Sequence, residues 1–125
     1  MSNRQLSPAV EVMSEPREPV DLKILKLAKA IIADDRDWCK GAEREIDMSG
    51  HDSFCMIGAI NAASVFEDEE HWFGVTDNNA GVRVEIAVGT YIDSFNDDPS
   101  TTHADVMAAF DLAIEQATKD WLAAK

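Results

Sequence analysis

Ala80-Gly81-Val82-Arg83-Val84-Glu85-Ile86-Ala87-Val88-Gly89 is the stretch on which the fold class turns. Val82, Val84, Ile86 and Val88 alternate with Arg83, Glu85 and Ala87, the period of a half-buried strand. The same residues also admit a helix: Asn78-Asn79 stands just ahead, and Val82, Ile86 and Gly89 are compatible with a helical period. The local pattern leaves both readings open, so the flanking elements carry the decision.

Downstream the signal is clear. Val106, Phe110, Ala113, Ile114, Ala117 and Trp121 form one apolar stripe, and Thr102 with Asp105 supplies a capping-box-like start after the Pro99 turn. These features predict a helix over 103–123. Upstream, Phe54, Ile57, Ile60, Ala63 and Val65 mark the inward side of another helix capped by Asp52 or Ser53, and Gly58, Ala59, Ala62 and Ala63 allow close packing. A short helix over Glu67 to Phe73 follows, because the acids at its start suit a helix N-terminus.

The first helix is expected from Asp21, as N-cap, to Asp34. Leu22, Leu25, Ala28, Ile31 and Ile32 recur on one face, and Lys23, Lys26 and Lys29 share another. Residues 35–53 read as a polar loop with a short helical turn, punctuated by Gly41 and Gly50. Residues 1–19 hold Pro8, Pro16 and Pro19 and no period, the composition of a flexible arm. The expectation is an all-α, compact bundle of about four to five helices over 20–125, with a short strand at 82–88 as the alternative.

Charge is the other strong feature. The chain has 125 residues and a formal charge of −13. Between Glu45 and Thr118 stand fifteen acidic side chains and one basic one, Arg83, whereas residues 1–44 balance eight acids against eight bases. Such a surface repels nucleic acid and anionic membrane and attracts cationic partners, with a salt-dependent on-rate. With 46% hydrophobic residues the chain can build one core without metals or cross-links. No apolar run approaches the roughly 18 residues of a membrane span, and the polar start lacks the apolar core of a secretory signal, so a cytoplasmic location is expected. In that reducing setting Cys39 and Cys55 are expected to be thiols.

Three fragments stand out: Trp38-Cys39-Lys40-Gly41-Ala42, Phe54-Cys55-Met56-Ile57-Gly58-Ala59, and Phe95-Asn96-Asp97-Asp98-Pro99 followed by Thr101-Thr102-His103-Ala104-Asp105-Val106. With the Leu25-to-Ile32 helix, their order resembles an uncharacterised family of actinobacterial and phage proteins, domain of unknown function 6197. The family pattern is a Leu/Ala-rich helix, a Trp-Cys-x-Gly-Ala turn, an aromatic-Cys-x-x-Gly-Ala helix start, and an aromatic-Asn-Asp turn before a Thr-led helix. The resemblance covers roughly residues 22–118. This chain departs from it at Phe95, where Trp is more frequent, and at Asp98-Pro99-Ser100-Thr101, where a Pro-Gly-Arg-Thr-like turn is common. The resemblance implies an all-helical fold, and thus a helix over 80–91; it implies no activity.

Four chemistries are weighed. Cys55, in the first turn of a helix, is a candidate nucleophile with His51, His71 or His103 as base and Asn96 as orienting group, against the reading of a core thiol. Cys39, His51 and Cys55, with His71 or an Asp, are the residues nearest to a metal set, but the paired spacing of a structural zinc site is missing and no metal or cofactor is expected. The Asn96-Asp97 turn is expected to be structural, with a polar pocket of Asn96, Asp97 and Trp38 as the alternative. The acidic surface is the leading candidate. It predicts a non-enzymatic protein that meets a basic protein surface through Glu67, Asp68, Glu69, Glu70, Asp93, Asn96, Asp97, Asp98, Asp105 and Asp111. Acids spaced along helices imitate the phosphate series of a duplex, so a nucleic-acid-binding host enzyme, inhibited in an anti-CRISPR or anti-defence manner, is the most concrete partner. The rival is a small thiol enzyme or polar-ligand domain built on Cys55, His103 and Asn96.

Overall fold

The 80–89 stretch is a helix in the computed structural model, which describes residues 18–67 and 79–124. Asn79 turns the chain into it at φ +67°, and Gly89, at φ +79°, closes it with its N–H on the Glu85 carbonyl. Read at a helical period, the alternating residues split into two faces. Ala80 and Val84 point inward and are buried, while Val82 and Ile86, four apart, point outward and are exposed. An apolar residue on both faces is what imitates a strand.

Five helices in the described residues carry the core. Helix α1 spans Val20–Ile31, α2 Met56–Glu67, α3 Ala80–Val88, α4 Ile92–Asp97 and α5 His103–Ala123. Helix α1 packs against α2 and α5, and α3 lies along α5. Their inward residues form one cluster in which Leu22, Leu25, Met56, Ile60, Val84, Val106 and Phe110 are fully buried. The architecture is mainly helical, as expected. Helix α5 has the expected ends: Thr102 Oγ1 accepts from Asp105 N at 3.2 Å, and the Asp105 carboxylate accepts from Thr102 N at 2.9 Å.

Several boundaries differ from expectation. Asp21 is not the N-cap of α1. Pro19 is, its carbonyl taking the Lys23 N–H at 3.1 Å, while the Asp21 carboxylate is held by the Leu22 N–H and the Arg83 guanidinium. Helix α1 also ends before Asp34, whose carboxylate instead accepts from Arg36 N and starts a 3-10 turn over Asp35–Asp37.

The 35–53 region is more than a loop. Strands β1, Arg44–Ile46, and β2, Asp52–Phe54, pair antiparallel with Glu45 opposite Ser53. Asp47 closes their turn by accepting from Ser49 N, Ser49 Oγ and His51 N, and Gly50 supplies a residue at φ +87°. Asp52, Ser53 and Phe54 thus belong to a strand, so α2 begins two residues after Phe54. Val65, expected inward, is exposed because Ser64 takes the core position beside it. Phe95, Asn96 and Asp97, expected in a turn, end helix α4, and the turn is made by Asp98, whose carboxylate accepts from Ser100 N and Oγ. The expected arm, apart from Glu18 and Pro19, and the expected short helix over Glu67 to Phe73, apart from Glu67, lie outside the described residues. Among the described residues no helix is long and apolar enough to cross a membrane.

Candidate functional site

The three fragments singled out in the sequence meet at one side chain, Asn96, buried at the end of α4. Its Oδ1 accepts from Trp38 Nε1 at 2.7 Å and from Met56 N, the first amide of α2, at 3.1 Å. Its Nδ2 donates to the Cys39 carbonyl at 3.1 Å and to Asp97 Oδ1 at 2.9 Å. Two donors and two acceptor lone pairs are the full capacity of a side-chain amide, so Asn96 is saturated inside the protein.

The surrounding residues complete a knot. Gly41, at φ +83°, turns its N–H onto Asp97 Oδ1 at 2.9 Å. Cys39 N donates to the Phe54 carbonyl at 3.0 Å, and Cys55 N to the Glu43 carbonyl at 3.1 Å. Lys40 Nζ donates to the Asp98 carbonyl at 2.6 Å while lying over the Trp38 ring. Gly58 is required for a different reason: a Cβ there would lie 2.0 Å from the Glu43 carbonyl oxygen. Most of the motif residues therefore serve to fasten the 38–43 turn, the start of α2 and the end of α4 together.

Beside the knot lies an open depression of about 170 Å³, lined among others by Glu43, Cys55, Asp93, Asn96 and Asp97. Trp38 is not one of its lining residues. The Asp97 carboxyl is held below the ordinary carboxylate value because the Asn96 side chain and the Gly41 amide donate to it. Cys55 moves the opposite way. Burial raises its thiol pKa, Glu43 and Asp97 raise it further, and the amides of Gly58 and Ile57 offset this in part. At the head of α2 its sulfur accepts from Gly58 N at 3.3 Å, acting as a cap for the first turn. Cys39 is likewise raised, chiefly by burial, and its thiol donates to the Ala42 carbonyl at 3.4 Å.

The histidines weighed as bases have other engagements. His103 Nε2 donates to the Ile32 carbonyl at 2.7 Å, with its ring 5.9 Å from that of Trp38, and His51 Nε2 lies 2.8 Å from Asp37 Oδ1. His71 lies outside the described residues. Among the described residues no group of three or more His, Cys, Asp or Glu side chains is arranged to hold a metal ion.

Of the predicted acidic contacts, Asp93 and Asp97 come together, joined by Glu43 from the charge-balanced N-terminal part. Asp98 and Asp105 are exposed but engaged in turn and cap, and Asp111 is paired with Lys29 at 2.6 Å. Asp68, Glu69 and Glu70 lie outside the described residues, as does the side chain of Glu67. Arg83, the only base in the acidic stretch, is gripped by Asp21 of α1 and, at 2.8 Å, by Asp120 of α5. Those carboxylates hold its guanidinium even more firmly protonated while neutralising its field.

A family model described as Family of unknown function (DUF6197) matches residues 16–116, the span that contains the whole knot. No curated protein and no solved structure matches the chain.

Proposed function

The chain belongs to the Family of unknown function DUF6197, and from that premise we propose that it is a small acidic binding protein that engages a basic protein surface in the cytoplasm. The observation that carries this reading is the fate of the charges. Arg83 is neutralised between two carboxylates, Lys29 and Arg44 are paired with Asp111 and Asp52, and three exposed carboxylates surround one open depression: Asp93, Asp97, which also accepts from Asn96 and Gly41, and Glu43, which also accepts from Asn61. A carboxylate cluster facing water attracts Lys- or Arg-rich surfaces. In its most concrete form the partner is a nucleic-acid-binding host protein whose phosphate-binding surface is occupied, in the manner of a nucleic-acid mimic or anti-defence inhibitor.

Affinity capture from the native host at low and high salt, with mass-spectrometric identification, tests this. The expected partner is basic and is lost at high salt; a partner retained equally at both overturns the reading. Asp93→Lys reverses an exposed charge that holds no other element, and weakens capture about tenfold. The rival thiol chemistry has its own readout. With the Cys55 pKa raised by burial and by two carboxylates, alkylation of the folded protein at neutral pH is slow and becomes fast on denaturation. Fast labelling of Cys55 in the folded state would restore the enzyme reading.

A further inference from the structure

The outer face of α3 is apolar although nothing in the described residues covers it. Val82 is 40% exposed, Ile86 73%, and across the seam Tyr91 is 71% and Leu112 of α5 49%. A surface helix ordinarily turns a polar face to water, so a helix apolar on both faces marks a surface that becomes buried. The shape fits that role. One depression of about 220 Å³ is lined by Ile86, Ala87, Leu112 and Gln116, and a second of about 450 Å³ by Val82, Ile86, Gly89 and Tyr91. They share Ile86, so the two depressions lie side by side along α3 as a mainly apolar groove with Ile86 at its middle.

Its rim is acidic. Glu85 lines the groove on α3. On α5, Asp105, Ala108, Leu112, Glu115 and Lys119 are exposed at spacings of three and four, which sets an acid on either side of Leu112 and places Lys119 3.9 Å from Glu115 at the far end. Arg83 at the groove wall is neutralised by Asp21 and Asp120.

We propose that this groove docks a partner segment that folds as an amphipathic helix, with an aliphatic or aromatic stripe flanked by Lys or Arg. The proposal rests on the reading of the protein as an acidic binding module and adds a second contact surface to the carboxylates around Glu43, Asp93 and Asp97. The stripe fills the groove from Leu112 across Ile86 to Tyr91, and the basic flanks meet Glu85, Asp105 and Glu115. The same rim disfavours a second copy of this chain, because a two-fold contact over Ile86 brings each rim acid toward its own image.

The test is titration calorimetry of the full chain at low salt with three synthetic peptides. One carries Leu at i, i+3, i+4 and i+7 with Lys elsewhere, one has the same composition in scrambled order, and one replaces Lys by Glu. The striped Lys peptide is expected to bind about tenfold tighter than the scrambled one, the worth of burying one aliphatic side chain. Ile86→Ser removes that advantage without lowering the melting temperature, since its side chain is 73% exposed. Equal binding of striped and scrambled Lys peptides overturns the groove and leaves the charge-based function standing. Equal binding of the Glu peptide overturns both. A dimer that dissociates on Ile86→Ser in sedimentation assigns the groove to a second copy and overturns the proposal. A full-chain variant with Leu6, Val10 and Met13 changed to Ser that binds the striped peptide about tenfold tighter than wild type assigns it to the N-terminal segment, which also overturns it.

Discussion

The Asn96 knot and the α3–α5 groove use the same residue classes to opposite ends. In the knot, polar atoms turn inward. Asn96, the Trp38 indole and the amides of Gly41, Cys39 and Met56 find partners within the protein. In the groove, aliphatic and aromatic side chains turn outward, and the one strong donor, Arg83, is consumed by two carboxylates behind it. Polar motif residues that are internally saturated hold a shape, whereas the apolar residues left in water are where a partner is proposed to dock. A motif-led reading places function at Asn96 and Cys55; the function proposed above uses the exposed surface instead.

Substitutions separate the two regions most sharply through stability. Gly58→Ala gives the largest effect, because its Cβ meets a backbone carbonyl at 2.0 Å and that carbonyl also accepts the Cys55 amide. A loss of about 3–5 kcal/mol is expected, read as a fall in urea midpoint or failure to fold. A midpoint near wild type would show that α2 and the 43 turn separate freely. Asn96→Ala comes next. It leaves the Trp38 indole and the Met56 amide unpaired at a buried site, and a loss of about 2–4 kcal/mol is expected by the same measurement. If Asn96→Ala destabilised no more than Ile86→Ser in the groove, expected within about 0.5 kcal/mol of wild type, the contrast between the regions would collapse.

How far the fold was legible varies with the range over which each element is specified. Helix α5 was readable to its ends because its stripe and its Thr102–Asp105 box are local. Helix α3 was ambiguous for a physical reason: Val82 and Ile86 belong to the groove and not to the core, so the core period was hidden under a second apolar set. The hairpin is not legible because three-residue strands carry too little alternation, and the Asp47 turn announces itself only through bonds to Ser49 and His51. The site was less legible still. Trp38, Met56 and Asn96 are distant in sequence, and nothing local says that one amide saturates them. Glu43 escapes a charge count by segment, which ignores the fold that carries it to Asp93 and Asp97.

The smallest expected effect is on acid stability, and it divides the regions once more. The carboxyl of Asp97 in the knot titrates below its ordinary 3.8, first because the Asn96 side chain donates to it and then because of the Gly41 amide. Asp120 behind the groove is also lowered, chiefly by Arg83. A carboxylate depressed in the folded state binds fewer protons than in the unfolded chain, so its contribution is fully present above about pH 4 and is lost as pH falls through its folded value. Asp97→Asn cannot titrate, but its amide oxygen can still accept from Gly41. The variant should melt a few degrees below wild type at neutral pH, with the gap closing as pH drops below about 4. A gap that stays constant down to pH 3 would mean that the Asp97 charge does not help fasten the 38–43 turn to α4, and that the knot rests on Asn96 alone.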